Sequence, residues 1–558
     1  MSEAVSPLRF GAAVTTTLIL AALPAAPQDT PLPDLFADVI DVRVVNVEVV
    51  VTDRKGNRIR GLEASDFELR VDGEPVPIEY FTEIDDGRAR TSLDDGVGNV
   101  PSLTPDKQVG TNYLVFIDEL SAIRRDRDRV LNGLEQDLAL LSPADRVAVV
   151  AFDGYNLARL TDWTNSRDEI EHALQQARAR KGLGLMRMTG LGDRTEQTRR
   201  AVLAATATVR SFAGAPGRKA MLLLADGWGG SVDSFGRSTL ASPVSLYTST
   251  WDVARPLVDA ANLVGYTLYP VNLPGLRFSV DLGLSRDDIT AFRHPRSHPL
   301  SYPHRNPFYV GNDLVDSWLS NPFPLFPSAS SQWSRQAALR HLAGETGGLA
   351  MINAQRDEAL AIATDDTRSY YWLGFEPPRD ENDVLHDIDV RVVGRRNLRV
   401  RARESYMDMS KSTEVTMLVE GSLLFGGSPG TDSLDVRFGT PERAGFRKIA
   451  VPMEVTIPLD DLTLLPIGGQ WMNELEFRVT VINERGDRSE IPVRRIPILG
   501  PAAPLPGQTF TYDTGIVIRR REHRYVAAIY DPLSGAILSS SGEVGSSQRP
   551  EPKRRVRR

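Results

Sequence analysis

Two strand-like runs of this sequence each end in a carboxylate. Tyr113 to Val130 reads YLVFIDELSAIRRDRDRV: an apolar run stops at Asp118, passes into Glu119 and gives way to a charged helical pattern. GRKAMLLLADGW, from Gly217 to Trp228, is a second buried-strand pattern and ends at Asp226. In open sheets of parallel strands, ligands bind at the carboxyl ends of the strands. Both carboxylates are therefore expected on one sheet edge, and hard oxygen ligands of this kind suit magnesium, calcium or manganese. The other reading is that each Asp caps the helix or turn that follows it. The pattern alone leaves both open.

Other reactive side chains fit a chemistry less well. His294, His298 and His304 sit in HPRSHPLSYPH, where the prolines forbid one helical face and no Glu completes an H-E-x-x-H pair. Ser231 follows a strand in GGSVD but lacks the G-x-S-x-G elbow. LGLMRMTGLGD has glycines without the G-K-[ST] of a phosphate loop. The sequence has no cysteine, which excludes disulfides, thiolate catalysis and cysteine-ligated zinc. No nucleophile, base and acid appear as a set, so a hydrolase is the weakest reading.

Positioning the two carboxylates takes strands alternating with helices. TNYLVFID, RVAVVAFDG, GRKAMLLLADGW and GYTLYPVNL read as buried strands. Val130, Leu131, Leu134, Leu138 and Leu141 recur at helical spacing, and further helices are predicted over 167–180, after the N-cap Ser166, and over 195–212 and 251–264. This alternation predicts an α/β domain with a doubly wound, Rossmann-like parallel sheet. On either side the composition is β. VRVVNVEVVVTD opens an N-terminal β module, and seven strand-length pieces beginning at VTMLVEGSLLF suggest a C-terminal sandwich.

The expected organisation is a signal peptide over 1–28, a β module over 38–86 and a linker over 87–110. An α/β domain over 111–375 follows, with a Pro- and aromatic-rich insertion at 276–332. A β extension over 376–410, a β-sandwich-like domain over 413–545 and a basic disordered tail over 546–558 complete it. The 558 residues are too many for one core and ask for roughly two to four domains. The net charge of −8 argues against a nucleic-acid binder. Phe10 to Leu23 is short for a membrane span and suits the core of a signal peptide. Export to the periplasm or beyond is expected, with an uncleaved anchor as the alternative and no stable membrane span after signal removal.

YLVFIDELS, RVAVVAFD, MTGLGD and MLLLADGWGG together resemble a von Willebrand factor A-type domain. DRKGNRIRGLEASDFELRVDGEPVPIEYF before them, with LAGETGG and SYYWLGFEP after them, narrow the likeness to the exported VWFA-related proteins found mainly in Acidobacteria. The resemblance implies a metal-ion-dependent adhesion site built from a D-x-S-x-S loop, a Thr and a further Asp. Mapped here, those are Asp118, Thr189 and Asp226. The two Ser positions fall on Leu120 and Ala122, which cannot ligate, while Ser121 stands one place out of register. The site is degenerate: Mg2+ or another divalent cation would be held weakly, and the alternative is that no metal binds.

These readings lead to an exported, non-enzymatic protein-binding protein, in adhesion or envelope assembly, whose partner is unknown. Glu119, Trp228, Tyr302, Phe308 and Trp318 are expected on its binding surface. The alternative is a structural scaffold whose contacts are made by the β modules.

Overall fold

The computed structural model describes residues 44–92, 108–183, 194–226, 228, 250–274, 329–377, 382–395 and 397–545. By its contacts the chain divides after Val42, and every described residue belongs to the second unit, Arg43–Arg558. The expected signal peptide, much of the linker, the insertion between 276 and 328, and the basic tail lie outside the described residues.

The first strands are β1 (Val45–Thr52), β2 (Phe67–Val71), β3 (Glu74–Val76), β4 (Tyr80–Asp85) and β5 (Arg88–Ser92). The middle runs β6 (Thr111–Asp118), α1 (Arg124–Gln136), β7 (Arg146–Phe152), β8 (Leu157–Thr164), α2 (Arg167–Ala179) and α3 (Arg194–Ser211). It continues through β9 (Arg218–Ala225), α4 (Thr250–Val264), β10 (Tyr266–Asn272), α5 (Ala329–Glu345) and α6 (Ala359–Arg368). Then come β11 (Tyr370–Phe375), β12 (Leu385–Val392), β13 (Arg399–Arg401), β14 (Ser405–Met407) and α7 (Lys411–Phe425). Nine strands finish the fold: β15 (Asp435–Phe438), β16 (Glu442–Gly445), β17 (Lys448–Pro458), β18 (Leu465–Ile467), β19 (Gln470–Asn483), β20 (Val493–Gly500), β21 (Thr509–Arg519), β22 (His523–Tyr530) and β23 (Ile537–Val544).

β1 alternates, and Val47, Val49 and Val51 point into one core. Two antiparallel sheets enclose that core, one ordered β13-β1-β11-β4-β5 and the other β14-β12-β2-β3. The sandwich is discontinuous in sequence. β11 pairs with both β1 and β4, and β12 pairs with β2. The residues expected to end the α/β domain and to form a separate extension therefore complete the N-terminal module. Among the described residues no helix is long and apolar enough to cross a membrane.

The expected fold class is corrected by the strand pairing. The chain is β-rich: among the described residues four of the five sheets are antiparallel, and parallel strands occur in one mixed sheet, β10-β9-β6-β7-β8. In that sheet β8 runs antiparallel to β7. The cause is local: only Asp153–Asn156 separate the two strands, too few for a parallel crossover. The Asp153 carboxylate accepts from the backbone N–H groups of Tyr155 and Asn156, and Gly154 takes φ +97°, which closes a hairpin turn. A doubly wound parallel sheet is not what organises this protein. Both faces of the mixed sheet are buried: Leu114, Phe116 and Val150 share one core with α3, α4 and α5, and Tyr113, Val115 and Val149 share another with α1, α2 and α6.

A second correction concerns VTMLVEGSLLF, expected as a strand and folded as α7. Ser410 caps it, its Oγ accepting from the Thr413 N–H at 3.1 Å, and Gly426 at φ +80° ends it. The helix is apolar on more than one side because it is buried on more than one side. Met417 enters the mixed-sheet core, while Val419 and Leu423 pack on Ile482, Val526 and Ala528 of the C-terminal sandwich. That sandwich sets β15, β16 and β21 around β17 against a sheet of β18, β19, β20, β22 and β23.

One buried carboxylate ties the N-terminal sandwich to the mixed sheet. The Asp366 side chain, near the end of α6, is 3% exposed and pairs with Arg58 and with Arg401. The Tyr269 hydroxyl on β10 donates to its Oδ2 at 2.8 Å. Arg401 also donates to the Gly347 and Gly348 carbonyls at 2.9 and 3.1 Å. Burial alone would raise the Asp366 carboxyl, but the Arg401 and Arg58 guanidinium groups outweigh it and hold it below its ordinary value. We expect Asp366→Asn to cost about 3–5 kcal/mol in a denaturant melt, because two cations lose their counter-charge. The stability that Asp366 supplies should be complete above pH ~4, near its unfolded pKa, and disappear as pH falls through its lower folded pKa. An acid melt that does not separate the variant from the wild type would contradict this.

Candidate functional site

Asp118 ends β6 because the apolar run YLVFI is used up there and the chain must turn. The turn closes on the Asp itself: Oδ1 accepts from the backbone N–H groups of Leu120 at 3.1 Å and Ser121 at 3.4 Å. Oδ2 accepts from the Ser121 hydroxyl at 2.6 Å and from the Trp228 indole N–H at 3.1 Å. Ser121 Oγ in turn accepts from the Asp226 backbone N–H at 3.3 Å. Ser121 thus stitches the end of β6 to the end of β9. Burial pushes the Asp118 carboxyl up, and the hydrogen bonds from Ser121 and Trp228 oppose that rise.

Glu119 belongs to a second cluster. Its side chain is 1% exposed, and Arg180 Nε lies 2.8 and 2.9 Å from its two oxygens. Arg127, wholly buried, places Nη1 3.5 Å from Glu119 Oε1. Arg127 Nη2 donates to the Arg178 and Arg180 carbonyls at 3.1 and 3.0 Å, covering acceptors at the carboxyl end of α2. Burial raises the Glu119 carboxyl, Arg180 and Arg127 lower it, and Asp153 adds to the rise. The cluster fastens α1 and α2 to the end of β6.

The described part of the expected cation site is engaged by protein donors. Both oxygens of Asp118 already accept two protein donors each, the Trp228 indole N–H among them. Leu120 and Ala122, at the two expected hydroxyl positions, are buried and apolar. Among the described residues no group of three or more acidic or histidine side chains is placed to hold a metal. Of the expected ligands, Asp118, Ser121 and Asp226 do come together at one edge, but Ser121 acts as a bridge between loops. Thr189 lies outside the described residues.

The expected binding surface also changes. Trp228 is 2% exposed and Glu119 1%, so neither offers contact area to a partner. Trp228 is turned inward by its bond to Asp118, and Glu119 by its arginines. Tyr302, Phe308 and Trp318 fall outside the described residues. Sequence reasoning missed Arg127 and Arg180. A signal existed for Arg127, which precedes Val130, Leu131 and Leu134 by three, four and seven residues, on the apolar stripe of α1.

No protein-family model matches the chain, and no curated protein matches it. Among solved structures, the chain is similar to the N-terminal domain of TFIIH p34, at 16% identity over 29% of this chain and 80% of that one, with a TM-score of 0.19. It is also similar to the pilus adhesin SpaC from Lactobacillus rhamnosus GG, at 9% identity over 88% of this chain and 62% of that one, with a TM-score of 0.20. Likenesses this slight carry no argument about fold or function.

If Asp118 is a structural joint, removing its donors costs stability. Ser121→Ala and Trp228→Phe should each lower the unfolding free energy by about 1–3 kcal/mol, the cost of an unsatisfied buried acceptor. Urea melts measure this directly, and unchanged midpoints would contradict the assignment.

Proposed function

We propose that this chain is an exported, non-enzymatic protein-binding scaffold that works without a divalent cation. The observation that carries the reading is the saturated Asp118 carboxylate, which accepts four protein hydrogen bonds where a cation-dependent site needs open oxygens. Export and a binding role rest on the leader-like N-terminus and on the motif resemblance. Melting the full chain with a chelator and then with Mg2+, Mn2+ or Ca2+ tests the claim. The midpoint should stay fixed. A ligand at a hundred times its Kd would add about 2.7 kcal/mol, so a saturable rise that Asp118→Ala abolishes would contradict the reading.

A second observation favours contacts through the β modules. Leu465, Met472 and Leu499 lie in register across β18, β19 and β20 on the outer face of their sheet. Leu499 is 60% exposed and Leu505, in the loop that follows, 72%. α7 covers the other part of this face, around Ile482 and Val526, so this row remains open to an apolar protein surface. The double variant Leu499→Asp, Leu505→Asp should fold as the wild type does, with its melting free energy within about 0.5 kcal/mol, because these side chains do no internal packing. A large loss of stability would assign them to the fold instead of to a contact.

A further inference from the structure

At the end of the C-terminal sandwich nearest β16, two turns lie side by side. Gly445–Lys448 joins β16 to β17, and Arg519–His523 joins β21 to β22. The Arg520 N–H donates to the Arg447 carbonyl at 3.0 Å, and Lys448 faces Arg519 directly across the strands. Like charges placed opposite each other cost stability in an isolated sheet. Arg519 is partly offset by Asp487 at 3.1 Å, and the flanking Glu442 and Glu522 dilute the charge. Even so, Arg443, Arg447, Lys448, Arg519 and Arg520 are all exposed at one tip of a protein whose net charge is −8.

Phe446 stands at the apex of this tip and is 83% exposed. Arg447 after it takes φ +64°, a left-handed conformation that a residue with a side chain adopts only at a cost. The turn thus holds an aromatic ring out into solvent with the Arg447 guanidinium 5.2 Å from its centroid. The chain leaves the sandwich at the same end: Val544, the last residue of β23, pairs with His523. The sequence that follows contains Lys553, Arg554, Arg555, Arg557 and Arg558. That segment repeats the charge sign of the tip.

We propose that this tip docks on a bilayer surface that carries anionic headgroups, with Phe446 entering the interface and the basic side chains around it meeting the headgroups. A projecting ring among flexible cations suits a headgroup layer, which needs no matching pocket. The proposal stands apart from the function proposed above and does not depend on it.

The test is co-sedimentation of the full chain with vesicles of neutral phosphatidylcholine, and with vesicles that also contain phosphatidylglycerol. Binding should require the anionic lipid and collapse at ~1 M salt, where the screening length falls to about 3 Å. Arg447→Glu with Arg520→Glu should weaken it at least about 30-fold, and Phe446→Ser roughly tenfold. All three side chains are exposed, so denaturant midpoints should match the wild type, and the lipid and salt dependence of the wild type itself needs no variant. Equal binding to both vesicles, or variants that bind as the wild type does, would overturn the proposal. So would retention of the chain on an immobilised acidic peptide without any binding to vesicles, which would assign the tip to a protein partner.

Discussion

A carboxylate removed from water must find its donors inside the protein, and in this chain that requirement holds the parts together. Asp366 shows it most fully. Its ligands come from the loop after β1, from β10 and from β13, segments widely separated in sequence. The oxygens can be satisfied only when the N-terminal sandwich and the mixed sheet are seated against each other. β11 follows α6 immediately and runs between β1 and β4, so the placement of Asp366 also sets the central strand of the sandwich.

The same rule operates at the other junction. Glu420 on α7, 6% exposed at its side chain, is shared between Arg210 on α3 and Arg488 of the C-terminal sandwich. Arg478, wholly buried on β19, donates to Thr416 Oγ1 at 2.9 Å and to the Ser412 carbonyl at 2.8 Å. α7 is therefore held by charge as well as by its apolar sides, and it links two cores. The edge of the mixed sheet follows suit, with Asp118 spent on Ser121 and Trp228, and Glu119 spent on Arg180 and Arg127. Acidic residues at the ends of strands suggest a ligand site from sequence. Here they are the joints of the fold.

How much of this was legible depends on the range of the interaction. The buried strands β6, β7, β9 and β10 could be read because each is a short apolar run with polar ends. The sheet class could not, because the direction of β8 is decided by a four-residue turn and the N-terminal sandwich by pairings such as β1 with β11, whose partners lie hundreds of residues apart. α7 was misread because its β-branched and apolar residues carry no clear period when more than one side is buried. At the edge, the Ser121 bond to Asp118 spans three residues and sits within the quoted motif, whereas the Trp228 bond spans 110 and leaves no local trace.

The bond from the Trp228 indole to Asp118 decides whether this sheet edge is a joint or a cation site. With tryptophan labelled by 15N and the signal assigned by loss in Trp228→Phe, its indole N–H can be followed by hydrogen exchange and by titration with millimolar Mg2+. A protected proton whose shift does not move during the titration is the predicted result. A rapidly exchanging proton, or one displaced as Mg2+ is added, would mean that the carboxylate is open to a cation and would contradict the account.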